Sequence, residues 1–141
     1  KTRRVVLAWG QEGFDFLGMH FRRQPIPRDP RRSNCYVWPS RRSMQRVRDK
    51  VKALVRCSDS GRSLGEQIER LNPVLRGWRN YFSRTNAARH FMKVDFFTCW
   101  KLWKWWDRKH HQRGKVRGGT FPDLLARAGL FRLSGSVGYA R

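Results

Sequence analysis

Apolar residues recur at helical intervals along most of this chain and follow a β-type pattern only near its start. Residues 3–9 (RRVVLAW) and 14–21 (FDFLGMHF) are short β-type runs separated by GQEG, a pattern that predicts a hairpin with a four-residue loop. In the first run Val5, Leu7 and Trp9 share a face; in the second, Phe14 and Phe16 oppose Leu17, Met19 and Phe21. The second strand is thus apolar on both sides and needs cover on both. A lone hairpin is marginal in water, so this one must lean on other elements. Residues 22–39 have no hydrophobic period and hold four of the six prolines and five arginines, which reads as a basic linker.

Three helices follow. Ser40 stands at an N-cap position ahead of Met44, Val47, Val51, Leu54 and Val55, which make one helical stripe. Ser63 and Glu66 form a capping box, and Leu64, Ile68, Leu71, Leu75, Trp78 and Phe82 then keep one face. Pro73 falls inside this run. It lacks an N–H and disfavours helical dihedrals at Asn72, so it predicts either a kinked continuous helix or a new helix capped by Asn72. The unbroken apolar phase favours a kink or a tight helix–helix junction over a loop. A third helix spans about 87–111, with Met92, Phe96, Cys99, Trp103 and Trp106 as its best core stripe. A basic connector, QRGKVRGG, leads to a short helix in TFPDLLARAGLFRL with Gly129 near its stop, and SGSVGYAR reads as a strand-like or frayed tail.

Charge changes the picture most. The 141 residues carry 32 Lys and Arg against 10 Asp and Glu, a formal charge of +22. Such a charge opposes compaction and is normally retained because a polyanion neutralises it. The seven tryptophans and 39% hydrophobic content argue against a disordered basic tail. A folded basic domain with nucleic acid as leading partner is expected, with an anionic membrane second. On the first helix only Asp49 balances Arg41, Arg42, Arg46, Arg48, Lys50, Lys52 and Arg56, so intrahelical pairing does not account for them and a phosphate-facing surface is expected. Arg70, Arg76 and Arg79 point away from the core face of the second helix. On the third, Lys101, Lys104, Trp105 and Arg108 share a face near Lys93, Phe97 and Trp100, a combination suited to stacking bases; packing of Trp105 against a neighbouring element is the bland alternative.

Other chemistry is not evident. Cys35, Cys57 and Cys99 are far apart, and the closely spaced ligand pairs of a zinc site are missing beside them and beside His90, His110 and His111. The odd count fits a reduced, intracellular (cytoplasmic) protein. No apolar run is long enough to span a membrane. Asp15, Asp95 and Asp107 are scattered, so no metal site, cofactor or catalytic constellation is expected.

The motifs resemble a known family. KTRRVVL…GFDFLGMHF resembles the last conserved blocks of a group II intron reverse transcriptase, and WPSRRSMQRVRDKV resembles its first thumb helix. SLGEQIERLNPVLRGWRNYF followed by FMKVDFFTCWKLWKWWDRKH resembles the maturase-specific domain, also called domain X or thumb, and AGLFRLSGSVGYAR is similar to C-termini of bacterial members without an endonuclease module. The resemblance implies a mainly α fold: a three-helix thumb bundle (40–141) preceded by a palm-edge hairpin (1–24) and the basic linker (25–39). It implies partners too: group II intron RNA, gripped for folding and splicing, and an RNA template/DNA primer hybrid. Arg41, Arg42, Arg46, Arg48, Lys50, Arg70, Arg76, Arg79, Lys101, Lys104, Trp105 and Arg108 would face RNA. Phe16, Leu17 and Gly18 match the turn the family uses near the primer end. The family's paired catalytic aspartates and the Mg2+ they bind belong to a palm upstream of Lys1, so this segment is not expected to be an enzyme by itself. Lys1 begins in mid-motif, as in a piece of a longer protein. A purely polymerase thumb and a generic basic nucleic-acid or membrane anchor are the alternatives.

Overall fold

The computed structural model describes residues 6–7, 12–56, 61–110 and 119–136. Three antiparallel strands, β1 (Phe14–Phe16), β2 (Met19–Ile26) and β3 (Asp29–Pro39), form a sheet in the order β1-β2-β3. Helices α1 (Arg41–Leu54), α2 (Leu64–Phe82), α3 (Ala88–His110) and α4 (Phe121–Arg127) follow, with a 3-10 turn at Ser134–Ser136. The mainly α class and the three long helices are as the sequence predicts.

The sheet differs from expectation in the second arm of the hairpin and in the linker. The proposed first arm, 3–9, lies outside the described residues except for Val6 and Leu7, which belong to no strand. The proposed second arm is not one strand. It folds back at Leu17–Gly18, both at positive φ (48° and 78°), pairing Phe16 with Met19. Two successive positive φ values give the two-residue turn whose twist suits a hairpin, but Asn-Gly is its usual signature and Leu17 hides it. Cross-strand stacking of Phe14 on Phe21 at 5.2 Å supports the pair.

The expected linker is also a strand. Residues 25–39 form the end of β2, a turn and the whole of β3, with Phe21 opposite Val37 and His20 opposite Trp38. Its prolines do not forbid this: Pro25, Pro27 and Pro30 cluster at the far end of the ribbon, Pro39 closes β3, and β3 is an edge strand. No apolar alternation marks the distal ribbon because it does not enter the core; burial sets in at Pro39 and Ser40. The ribbon is fastened to the helices. Asn86, between α2 and α3, accepts the Val37 N–H through Oδ1 at 3.1 Å and donates its own backbone N–H to the Val37 carbonyl at 2.7 Å. Sheet and bundle are therefore joined along the edge of β3 and not by a loose tether.

Val47 and Val51 of α1 pack with Ile68, Leu71, Leu75 and Phe82 of α2 and with Val94 and Leu102 of α3, all within the buried core. The Ser40 side chain accepts the Ser43 N–H, and Ser63 with Glu66 makes a full capping box. Those hydrogen bonds at Ser63 hold the Glu66 carboxyl below its ordinary pKa. α2 runs unbroken through Pro73, whose side is exposed. Asn72 caps nothing: its amide donates to the Gly129 carbonyl and accepts the Phe131 N–H, both at 2.9 Å, clamping the tail onto α2. Gly129 (φ 81°) ends α4 as expected.

The third helix is rotated relative to the predicted phase. Its buried residues are Phe91, Val94, Thr98, Leu102 and Trp105. Met92 is 62% exposed, Phe96 76% and Trp103 36%, while Cys99 and Trp106 are only partly buried. Asp95 accepts the Leu133 and Ser134 N–H groups and the Ser134 hydroxyl at 2.6–2.9 Å, docking the tail on this helix too.

Candidate nucleic-acid interface

One groove gathers residues from the turn, α1 and α2. The Leu17–Gly18 turn stands at one end, held against both helices. The Ser40 N–H and the Ser43 hydroxyl donate to the Gly18 carbonyl at 2.9 and 2.7 Å, and the Tyr81 hydroxyl donates to the Leu17 carbonyl at 2.6 Å. A non-glycine residue at positive φ persists only when its surroundings impose it, and these three bonds do so. The result is a fixed turn that presents Phe16 (58% exposed) and Leu17 (70%) outward.

Arg46 and Lys50 flank the groove from α1; Val74, Gly77 and Tyr81 line it from α2. Arg42 precedes Arg46 by four residues and so lies on the same helical face. Beyond its own stretch of helix, a Cβ at Gly77 would meet no described atom within 4 Å, so the glycine leaves open space over an apolar floor. Among the described residues no carboxylate lines this groove. Asp49, the single acid of α1, is engaged with Gln45 and Lys52 instead. Fixed positive charges beside apolar surface, with no acid among them, suit a sugar–phosphate backbone.

The remaining predicted site residues scatter. Arg41 and Arg48 of α1 line a different, more polar cleft with His20, Trp38, His90 and Lys93. Burial, then the charges of Lys93 and Arg89, push the His90 pKa down. Arg76 sits on the Phe131 ring, 5.5 Å from its centre, and Arg79 is half-buried. Arg70 is exposed one turn before Val74. Lys101 and Lys104 reach over Trp100, at 5.1 and 4.2 Å from its ring centre, and Arg108 is exposed further along. Trp105 is a correction. At 2% exposure, with its ring beside Trp106 and Lys109, it has no open face for a base. Tyr81 and Ser43, which hold the turn, do not stand out in the sequence; only the aromatic in RNYF hints at the first, and nothing local marks the second.

Among the described residues no group of three His, Cys, Asp or Glu could hold a metal ion, and no helix is long and apolar enough to cross a membrane. The fold and groove define a basic, mainly α domain locked to a small antiparallel sheet. The family model of the group II intron, maturase-specific domain matches residues 44–120, more than half of the chain, and the chain belongs to that family. The family ties it to group II intron splicing and to intron RNA. A maturase-specific domain alone is not a catalytic polymerase domain. No curated protein matches the chain.

Proposed function

We propose that this domain grips structured group II intron RNA in the groove between the Leu17–Gly18 turn, α1 and α2, and so promotes folding and splicing of the intron. The observation that carries the reading is the open space over Gly77, bordered by Arg46 and Lys50 and closed at one end by the clamped turn. Phosphates meet the cations, and sugars lie on the apolar floor. Arginine presented on a rigid helix loses less entropy on binding than one on a loop. The outward Phe16 and Leu17 also favour a second use of the same groove. In a parent reverse transcriptase they would abut the end of an RNA template/DNA primer hybrid.

Binding to an intron RNA and to a plain hybrid duplex, each at several salt concentrations, tests this. Affinity for the intron should fall steeply with salt. Arg46→Glu with Lys50→Glu should lower that slope by roughly 0.7–0.9 for each phosphate that is no longer neutralised. Gly77→Met should block the groove and weaken binding with the fold retained. Unchanged affinity in Gly77→Met would place the RNA elsewhere.

A further inference from the structure

The structure leaves a second surface that the groove does not use. Along α3, Met92, Phe96, Trp100 and Trp103 follow one another at three- and four-residue steps and are all exposed, Phe96 at 76% and Trp100 at 38%. Large aromatic side chains in a contiguous exposed patch mark an interaction site more often than chance placement. Here the patch is rimmed by cations. Arg48 of α1 and Arg89 and Lys93 of α3 line the same shallow depression as Phe96 and Trp100. The Arg48 guanidinium lies 5.7 Å from the Phe97 ring centre, its Nε making no hydrogen bond among the described residues. Lys104 and Lys101 stand over Trp100. Among the described residues no carboxylate lines the depression; Asp95, the acid nearest in sequence, is occupied by the tail.

Charge decides between occupants. A second copy of this chain would bring the same rim of cations against itself, and with a formal charge of +22 that contact is opposed. A lipid surface asks for an apolar face broader than one aromatic stripe. An unpaired base supplies a flat π-face for each ring, and its phosphate supplies an anion for the rim. We propose that the Phe96–Trp100 face of α3 is a separate site for single-stranded nucleic acid, stacking one or two unpaired bases while Arg48, Lys93 and Lys104 take the flanking phosphates. The site goes beyond the groove: the groove holds backbone, and this face senses whether bases are free.

The test uses the full chain and three probes: a mixed-sequence RNA decamer, a decamer of equal charge without bases, and a blunt duplex. The decamer with bases should bind about tenfold tighter than the abasic one, since stacking adds that much for each base engaged. Phe96→Ala, which removes a mostly exposed ring, should erase this preference while leaving duplex binding, melting temperature and salt slope unchanged. Trp100→Ala should do the same; if it unfolds, Phe96→Ala carries the result alone. Arg46→Glu with Lys50→Glu should weaken duplex binding and keep the preference for bases, which separates failure of this site from failure of the groove. Equal affinity for the two decamers overturns the proposal. So does a wild-type dimer in sedimentation that Phe96→Ala dissociates with no change in decamer binding, for the face would then join two copies.

Discussion

Helices α1 and α3 both interleave cations with apolar residues, yet the sequence orients one and leaves the other ambiguous. On α1 the apolar residues form a single stripe, and Met44, Val47, Val51 and Val55 are all buried. Most of its remaining surface is charged, so only one rotation buries apolar groups without burying charge. On α3, apolar or aromatic residues occupy nearly every angular position between Phe91 and Trp106. Several rotations bury comparable area, at about 25 cal/mol per Å², and the spacing alone does not separate them. A stripe locates a core when its complement is expensive to bury, and loses that power when the complement is aromatic.

The largest effect should come from truncating Trp105, set against Phe96, two aromatics of α3 whose environments are opposite to those their helical phase predicts. Trp105→Ala should lower stability by about 3–5 kcal/mol by leaving a large cavity, enough to unfold a marginal domain. Phe96→Ala should stay within about 0.5 kcal/mol of the wild type. Urea denaturation of both decides; a large loss in Phe96→Ala would restore the rotation that the spacing suggests.

Polar anchoring gives the next effect. Asp95→Ala removes a carboxylate that accepts two backbone N–H groups and a hydroxyl from the tail. A loss of about 1.5–3 kcal/mol is expected, because hydrogen bonds to charged groups are the stronger ones. Faster proteolysis of the segment after α4 would localise the change.

On α1 the contrast should be near silence. Reversing Arg41, Arg42 and Arg46 together should change stability by no more than about 0.5 kcal/mol, since all three are exposed. The same variant should bind RNA less tightly and with a shallower salt dependence. A sharp fall in its melting temperature would show a structural face mistaken for a binding one.

The smallest effect is a pH dependence at the start of α3. The folded His90 pKa lies below the ordinary histidine value of 6.5. The unfolded chain therefore binds the proton more readily, and this residue's contribution to stability is present above pH 6.5 and declines as pH falls through that value toward the lowered pKa. Melting temperatures of His90→Gln and wild type should converge near neutral pH and separate slightly in acid, the wild type losing more. Parallel profiles would mean that His90 titrates alike in the folded and unfolded chain.

The same contrast runs through the site. Ser40, the Ser63–Glu66 box, the α1 stripe and the excess of cations on α1 are legible because each acts within a few residues. Residue spacing does not show the Leu17–Gly18 turn, which only the family resemblance suggests, because its backbone conformation is imposed by Ser40, Ser43 and Tyr81, the last 64 residues from Leu17. The β3 strand reads as a linker because its pairing with β2 and its anchor at Asn86 leave no apolar period. Asn72 stands out beside Pro73, but its role is to hold Gly129 and Phe131 across 57 and 59 residues.

Helix content, helix ends, the single orientation of α1 and the family membership of residues 44–120 are all encoded in local spacing or in a specific motif, and the chain alone reveals them. Packing settled the rest: which face of α3 is buried, that Trp105 is core and Phe96 is surface, and that turn, α1 and α2 meet around Gly77. The reason is physical. Local signals fix which backbone conformation is cheap, but the rotation of an all-round aromatic helix depends on which neighbour takes each face.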